Sequence, residues 1–258
     1  MNPEDQIILI DKPAGISSFG VVAKIRGYLR AKYGHKVKVG HTGTLDPFAT
    51  GLLIILTGKN TKKSDEFLKK DKVYEATLNL GFVSTTGDPE GEITEYKTAE
   101  DVLPWIQECP SDGPPEPGKA RMSAPRPCRR AEATQPELDV IESTIQSFIG
   151  KIKQKVPTFS AVKINGERAY KLARAGKDFE TPEREVTIYN IEVLNYNYPE
   201  LKIRCHVSSG TYIRTLAEDI GKKLGTGAYL TALRRLKIAA YDVKDAKNLT
   251  DFTSSHQN

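Results

Sequence analysis

The chain has 258 residues, 38% of them hydrophobic and 28% charged, and its 38 Lys and Arg against 33 Asp and Glu give a net charge of +5. That length allows one large domain or two small ones around a real core, and the balance excludes collagenous, fibrous and disulfide-framework classes, since three scattered cysteines cannot staple a fold. The longest apolar run, Leu52–Leu56, is far short of a membrane helix, and Glu4 and Asp5 stand where a signal peptide would be basic, so the expectation is a cytoplasmic protein with no membrane partner.

In chain order, residues 6–10 (QIILI) read as a strand. Ser17 or Ser18 caps a helix whose apolar positions Val21, Val22, Ile25, Leu29 and Tyr33 recur at helical spacing. A Gly- and Thr-rich loop occupies residues 40–51. Residues 73–80 alternate, with Tyr74, Ala76, Leu78 and Leu80 on one face of a half-buried strand. Residues 84–91 (STTGDPEG) are turn chemistry. Residues 107–137 hold seven of the 15 prolines, with balanced charge and little to bury, and are expected to be a disordered insertion. A helix then turns Leu138, Ile141, Ile145, Phe148 and Ile149 inward. Residues 158–164 resemble a strand, and Gly166 leads into a short helix ending at Gly176. Strand-like runs 185–194 and 201–207 flank a turn near Pro199, with Cys205 on the core face. A helix over 211–224 buries Ile213, Leu216, Ala217, Ile220 and Leu224, and residues 228–240 are mostly apolar around Arg234 and Arg235. Strands in antiparallel-compatible groups predict an α+β fold.

Charge is more informative by position than by sum. No acid lies between Asp11 and Asp46, while Lys12, Lys24, Arg26, Arg30, Lys32, Lys36 and Lys38 fall in that stretch. Clustered cations point to a polyanion partner, or else form a solvated helix face. His35, His41, His206 and His256 have no ligand spacing and no Cys-x-x-Cys exists, so no metal is expected, and neither a Walker loop nor a Gly-x-Ser-x-Gly elbow is present.

Two segments stand out. In residues 40–51 (GHTGTLDPFATG), Asp46 is a lone acid in a cationic setting, suited to nucleophile or general-base work. The competing reading makes Asp46–Pro47 an N-cap and N1 pair that opens a helix. In residues 208–225, Arg214 sits in the first turn of its helix, where a cation opposes the dipole by about 0.3–1 kcal/mol. A carboxylate such as Asp46 would explain it; so would solvation with a pair to Glu218 at i+4.

Taken together, ILIDKPAGISS (8–18), GHTGTLDPFATGLL (40–53), DKVYEATLNLG (71–81), VPTFSAVKINGERAYKLAR (156–174), GTYIRTLAEDIG (210–221) and LRRL (233–236) resemble the TruB family of tRNA pseudouridine synthases in order and spacing. The resemblance implies a pseudouridine synthase fold, an α+β domain around a central mixed, mostly antiparallel sheet flanked by helices. It implies isomerisation of uridine 55 in the T-loop of tRNA, by base flipping, N-glycosidic cleavage and reattachment through C5, on a monomer without cofactor or metal. Asp46 then matches the catalytic aspartate, Tyr74 the tyrosine stacking on the target base, and Arg214 the arginine paired with the aspartate. Tyr212 and Leu233 match the uracil pocket, His41 a histidine holding the flipped-out loop, and Lys12 the Lys-Pro motif near the site. About 18 residues follow Ala240, so the expectation is one catalytic domain over 1–250 with a tail at 251–258 and no separate C-terminal RNA-binding domain. The alternatives are a guide-RNA-dependent pseudouridine synthase and a non-catalytic tRNA-binding or folding module.

Overall fold

The computed structural model describes residues 3–96, 136–164 and 166–252. The Pro-rich stretch at 107–137 lies outside them except for Pro136 and Glu137. In chain order the elements are β1 (Ile7–Lys12), α1 (Ser18–Tyr33), β2 (Val39–His41), β3 (Thr50–Thr57), α2 (Ser64–Leu68), β4 (Lys72–Leu80), β5 (Phe82–Ser84) and β6 (Ile93–Glu95). There follow α3 (Leu138–Gln146), β7 (Gly150–Lys155), β8 (Lys163–Ile164), β9 (Glu167–Arg168), α4 (Ala169–Arg174), β10 (Glu183–Asn197), β11 (Glu200–Val207), α5 (Ile213–Leu224), β12 (Ala228–Ile238), β13 (Tyr241–Asp242) and β14 (Lys247–Asn248).

Among the described residues, ten strands form one mixed sheet in the order β14-β1-β3-β12-β4-β11-β10-β7, with β2 on β3 and β13 on β12. Its ladders are antiparallel except β1 with β14 and β12 with β3. This is the α+β fold with a mostly antiparallel mixed sheet that the sequence predicts.

Two helical layers bury the sheet. Helix α1 begins at Ser17, whose side chain accepts from the Gly20 N–H, and packs Val21, Val22, Ile25 and Leu29 against Ile8, Ile10, Leu53 and Ile55. Its cations Lys24, Arg30 and Lys32 stay exposed, with Arg30 and Lys32 in the last turn where the dipole favours them. Helices α3 and α5 put Ile141, Ile145, Ile213, Leu216 and Ile220 on the inner face of β4, β10 and β11. Cys205 is wholly buried there, and burial pushes its thiol up to about 12, so it acts as packing. The run Leu52–Leu56 is β3, buried on both faces: Leu53 and Ile55 meet α1, while Leu52, Ile54 and Leu56 meet Phe67 and Ile238.

Three local expectations differ from the structure. Leu138, in the first turn of α3, and Ile149, beyond its end at Gln146, are exposed, leaving Ile141 and Ile145 as the buried i, i+4 pair. The strand expected at 158–164 is reduced to Lys163–Ile164, because the Phe159 carbonyl accepts from Arg214 and the Ser160 carbonyl from the Tyr170 N–H instead of a ladder partner. Asp46–Pro47 opens no helix: residues 42–49 remain irregular.

The parallel junction of β3 and β12 depends on Gly51. It pairs with Arg235 at φ +100, and a Cβ there would lie 2.3 Å from the Arg235 carbonyl oxygen. Gly51→Ala combines a left-handed backbone with a backbone clash, so it is expected to lower stability by about 2–3 kcal/mol, read as a lower urea midpoint at unchanged m-value.

Candidate active site

Loops from both halves of the sheet converge on a pocket of about 790 Å³, lined among others by Asp46, Tyr74, Asp88, Tyr212, Arg214 and Leu233. Asp46 stands on the irregular 42–49 segment, which is held from below at several points. Ser18 Oγ donates to the Leu45 carbonyl (3.0 Å) and accepts the Leu45 N–H (2.8 Å). Pro47 O accepts the Gly15 N–H (2.9 Å) and Lys12 Nζ (3.1 Å), and Gly43 O accepts Arg235 Nη2 (3.1 Å). A segment with few ladder bonds is thus fixed by side-chain donors, which is how a loop can position a reacting group.

Arg214 occupies the first turn of α5 and is 5% exposed. Its Nε lies 3.1 Å from Asp46 Oδ2 and its Nη2 3.5 Å from Oδ1, a two-point engagement of one carboxylate. Its Nη1 lies 3.4 Å from Asp88 Oδ2 and donates to the Thr86 carbonyl at 3.0 Å, while Nη2 donates to the Phe159 carbonyl at 2.9 Å. Among the described residues its ion-pair partners are Asp46 and Asp88, and Glu218 is not one. The cation that opposes the α5 dipole is therefore held by two acids from other loops. Asp88 is itself fixed, accepting Thr86 Oγ1 (2.5 Å) and the Glu90 N–H (3.0 Å) on Oδ1.

Asp46 keeps 32% of its side-chain surface open to the pocket. Burial raises its carboxyl above the ordinary aspartate value, more than Arg214 lowers it, and Asp88 adds to the rise while Lys12 opposes it. Lys12 is fully buried, gives Nζ to the carbonyls of Pro13, Ile16 and Pro47, and is pushed down to about 8, chiefly by burial and against the attraction of Asp46. It acts behind the Asp46 loop and does not line the pocket.

Tyr74 lies on the buried face of β4, 8% exposed, between Arg235 on β12 and Cys205 on β11. Leu233 pairs with Ala76 on the same face. Tyr212, just before α5, is held by reciprocal bonds with Gln154: its N–H donates to Oε1 at 2.8 Å and its carbonyl accepts Nε2 at 3.0 Å. The Arg184 guanidinium lies 5.4 Å from its ring centroid. Thus Asp46, Tyr74, Arg214, Tyr212 and Leu233 come together. His41 does not line the pocket with them: it pairs with Ile55 at the end of β2, two residues before the lining residue Gly43, and burial followed by the Arg235 charge lowers its imidazole pKa.

Sequence reasoning missed Asp88, Lys72 and Arg235, all of which line the pocket. Asp88 falls in the STTGDPEG turn, where Asp before Pro explains itself. Lys72 and Arg235 are cations on the buried faces of β4 and β12; the alternation of residues 73–80 extends back to Lys72, whereas the bulged β12 gives no such signal for Arg235. Among the described residues, no three His, Cys, Asp or Glu side chains gather as metal ligands, and no helix is long and apolar enough to cross a membrane.

Comparison with known proteins agrees with this architecture. The model of the TruB family pseudouridylate synthase N-terminal domain matches residues 30–107 and 124–213, and that of the tRNA pseudouridylate synthase B C-terminal domain matches residues 214–258. The described part of the second match contributes strands β12, β13 and β14 to the sheet above and nearly all of helix α5, which packs on it. The chain is 40% identical over 250 residues to the tRNA pseudouridine synthase B of Phocaeicola vulgatus, covering 96% of this chain and 92% of that one. It is 39% identical over 263 residues to that of Flavobacterium johnsoniae, covering 100% of both. A solved structure titled "Crystal Structure of a Cbf5-Nop10-Gar1 Complex" superposes with a TM-score of 0.63 at 25% identity, covering 96% of this chain and 53% of that one, so the chain spans about half its length. A sheet of this order, an acid and arginine meeting over a pocket, and full-length likeness to these enzymes lead to one conclusion: the chain belongs to the TruB family of pseudouridylate synthases.

Proposed function

We propose that this chain isomerises uridine 55 to pseudouridine in the T-loop of tRNA, acting as a monomer, with Asp46 as the nucleophile. The observation that carries the reading is the Asp46 carboxylate, engaged at two points by Arg214 yet open to a pocket walled by Tyr74. The full-length likeness to tRNA pseudouridine synthase B supports tRNA as the substrate.

A uridine inside an RNA fold hides its glycosidic bond, so the nucleotide must first leave the stack at a cost of a few kcal/mol. The Tyr74 ring offers the flipped uracil a face, and Tyr212 and Leu233 close the pocket around it. Asp46 then attacks the base or the ribose. The N1–C1′ bond breaks, the base turns, C5 bonds to C1′, the bond to Asp46 breaks and returns the free carboxylate, the C5 proton leaves and N1 gains one. The product is an isomer of the substrate, so the reaction consumes no co-reactant. Arg214 favours the ionised form of the Asp46 carboxyl against the opposing effect of burial and aims it, and Asp88 holds Arg214 from the other side. Lys12, through Pro47, fixes the loop that carries Asp46. The cations of α1 and the following loop, exposed at Lys24, Arg30, Lys32, Lys36 and Lys38, supply phosphate contacts without base specificity.

The test is single-turnover pseudouridine formation on a T-stem-loop transcript with no other RNA present. Conversion of its uridine 55 equivalent supports the reading. Conversion only after a guide RNA is added overturns it in favour of a guide-dependent enzyme, and binding without conversion overturns it in favour of a folding module.

Tyr74 lines the pocket and its hydroxyl has no hydrogen-bond partner among the described residues, so the stacking role is assigned to its ring. Tyr74→Phe is expected to bind the stem-loop as the wild type does, while Tyr74→Leu loses about 1–3 kcal/mol of engagement of the flipped base. The measurement is a titration of stem-loop RNA against each variant; equal affinity of the Phe and Leu variants removes the stacking role.

A further inference from the structure

Two arginines stand side by side on β12, and their charges are satisfied in opposite ways. Arg234 is 40% exposed and meets Asp11 with both ends of its fork, Nη2 to Oδ2 at 2.7 Å and Nη1 to Oδ1 at 3.1 Å. Arg235 is 1% exposed and has no carboxylate within ion-pair distance among the described residues. A buried guanidinium is the one that needs an anion more, because burial removes the water that otherwise solvates its charge. Its Nε donates to the Leu52 carbonyl (2.7 Å) and its Nη2 to the Gly43 carbonyl (3.1 Å), while Nη1 has no acceptor among the described residues and the side chain lines the pocket.

A second buried cation accompanies it. Lys72 is 6% exposed, lines the same pocket, and gives Nζ to the carbonyls of Leu68 (2.7 Å) and Lys70. It shares the buried face of β4 with Tyr74, and Tyr74 pairs across the ladder with Arg235. The arginine adds to the burial that holds Lys72 near 8, with Asp71 pulling the other way. The Arg235 charge also lowers Lys12 and His41. The charges that act on Asp46 are those of Arg214, Asp88 and Lys12. The pocket therefore has two electrostatic parts, an acidic one where Arg214 is shared by two carboxylates and a cationic one at Arg235 and Lys72, neither of which has a carboxylate within ion-pair distance among the described residues.

We propose that Arg235 and Lys72 form an anion site in the pocket wall that takes a backbone phosphodiester next to the flipped uridine. This rests on the reading of the pocket as a uridine-isomerising site in RNA. A nucleotide swung into the pocket brings its flanking phosphates with it, and a phosphodiester offers the acceptor oxygens that Nη1 of Arg235 and the remaining Nζ proton of Lys72 lack. Held there, it fixes the ribose against Asp46 while Tyr74 fixes the base, so Arg235 and Lys72 are positioning residues. Charged hydrogen bonds of this kind are expected to contribute on the order of 10- to 100-fold in affinity.

The experiment is a chemical double-mutant cycle in the Asp46→Asn background, which binds without turning over. T-stem-loop RNAs carrying a single neutral methylphosphonate at the linkage 5′ or 3′ of the target uridine are titrated against protein with Arg235 intact, with Arg235→Gln and with Lys72→Met. With Arg235 intact, one of the two RNAs is expected to bind on the order of 10- to 100-fold more weakly than native RNA, and Arg235→Gln or Lys72→Met to weaken native RNA but not that RNA. Two cations acting only as struts for the Gly43 and Leu68 carbonyls predict equal losses on all RNAs together with a fall in melting temperature, and that result overturns the proposal. If Arg235→Gln does not fold, the methylphosphonate scan on protein with Arg235 intact decides alone: equal affinity for native and both neutralised RNAs overturns it. Conversion of native stem-loop by wild type is measured in parallel. A stem-loop that is converted yet indifferent to these phosphates refutes the anion site and leaves the isomerase reading standing, whereas a stem-loop that is not converted refutes that reading itself.

Discussion

Asp46→Asn is expected to abolish pseudouridine formation while leaving stem-loop binding within a few-fold of wild type. Asparagine keeps the shape and can still accept one hydrogen bond from Arg214, but it offers no anionic oxygen for covalent attack. The substitution should not unfold the protein. Burial raises the folded pKa of Asp46, so its ionised form costs stability above the unfolded value and the cost is relieved as pH falls through the folded pKa. A neutral isostere is then no less stable at neutral pH, and Arg214 retains Asp88. The same shift sets the acid limb of turnover: the single-turnover rate should fall as pH drops through a value above the ordinary aspartate range, because the attacking form is the carboxylate. Near-normal turnover by Asp46→Asn, or an acid limb at or below the ordinary aspartate value, sinks the role assigned to Asp46. Single-turnover assays across pH beside a binding titration provide both readings.

The parts of this site that were legible in the sequence are those where a local rule is broken or an alternation is strict. Tyr74 was placed on a buried face by the alternation of residues 73–80, and the ladder to β11 and β12 keeps that face inward. Arg214 was conspicuous because a cation in a first helical turn opposes the dipole, and its partners prove to be acids from two other loops. Asp46 could be read as a helix cap, and only the structure removes that reading, since Pro47 is followed by no helix.

What stayed hidden was hidden by adequate local explanations. Asp88 sits in a turn whose sequence needs no further reason, yet the turn delivers it to Arg214. Phe159 lies in a run that resembles a strand, but its carbonyl is an acceptor for Arg214, which depends on a helix 55 residues further along. Arg235 follows Arg234 in a mostly apolar run, and nothing local says that one faces Asp11 while the other faces the pocket. These assignments depend on ladder register between β3, β12 and β4, a long-range property that periodicity within one strand cannot carry.

Arg214 is the substitution site with the widest consequences, because one guanidinium serves two carboxylates and two carbonyls. Arg214→Met leaves Asp46 and the almost fully buried Asp88 without their cation, and an orphaned buried charge costs about 3–5 kcal/mol. Adding Asp88→Asn to Arg214→Met should recover part of that stability in urea unfolding while restoring no turnover, since the nucleophile is still unaimed. Arg214→Lys keeps the charge but replaces a planar fork with a single ammonium of three donors. It cannot meet Asp46 at two points and also reach Asp88, Thr86 O and Phe159 O. A carboxylate left free to swing by about 1 Å loses on the order of 100-fold in rate, so Arg214→Lys is expected to turn over at least that much more slowly with binding nearly intact. If the pair acts as a unit, Asp46→Asn with Arg214→Lys is little worse than Asp46→Asn alone. The measurements are single-turnover pseudouridine formation, a stem-loop titration and urea unfolding on each variant. Wild-type turnover by Arg214→Lys, or losses that simply add in the double variant, show that Arg214 carries the fold and not the direction of Asp46.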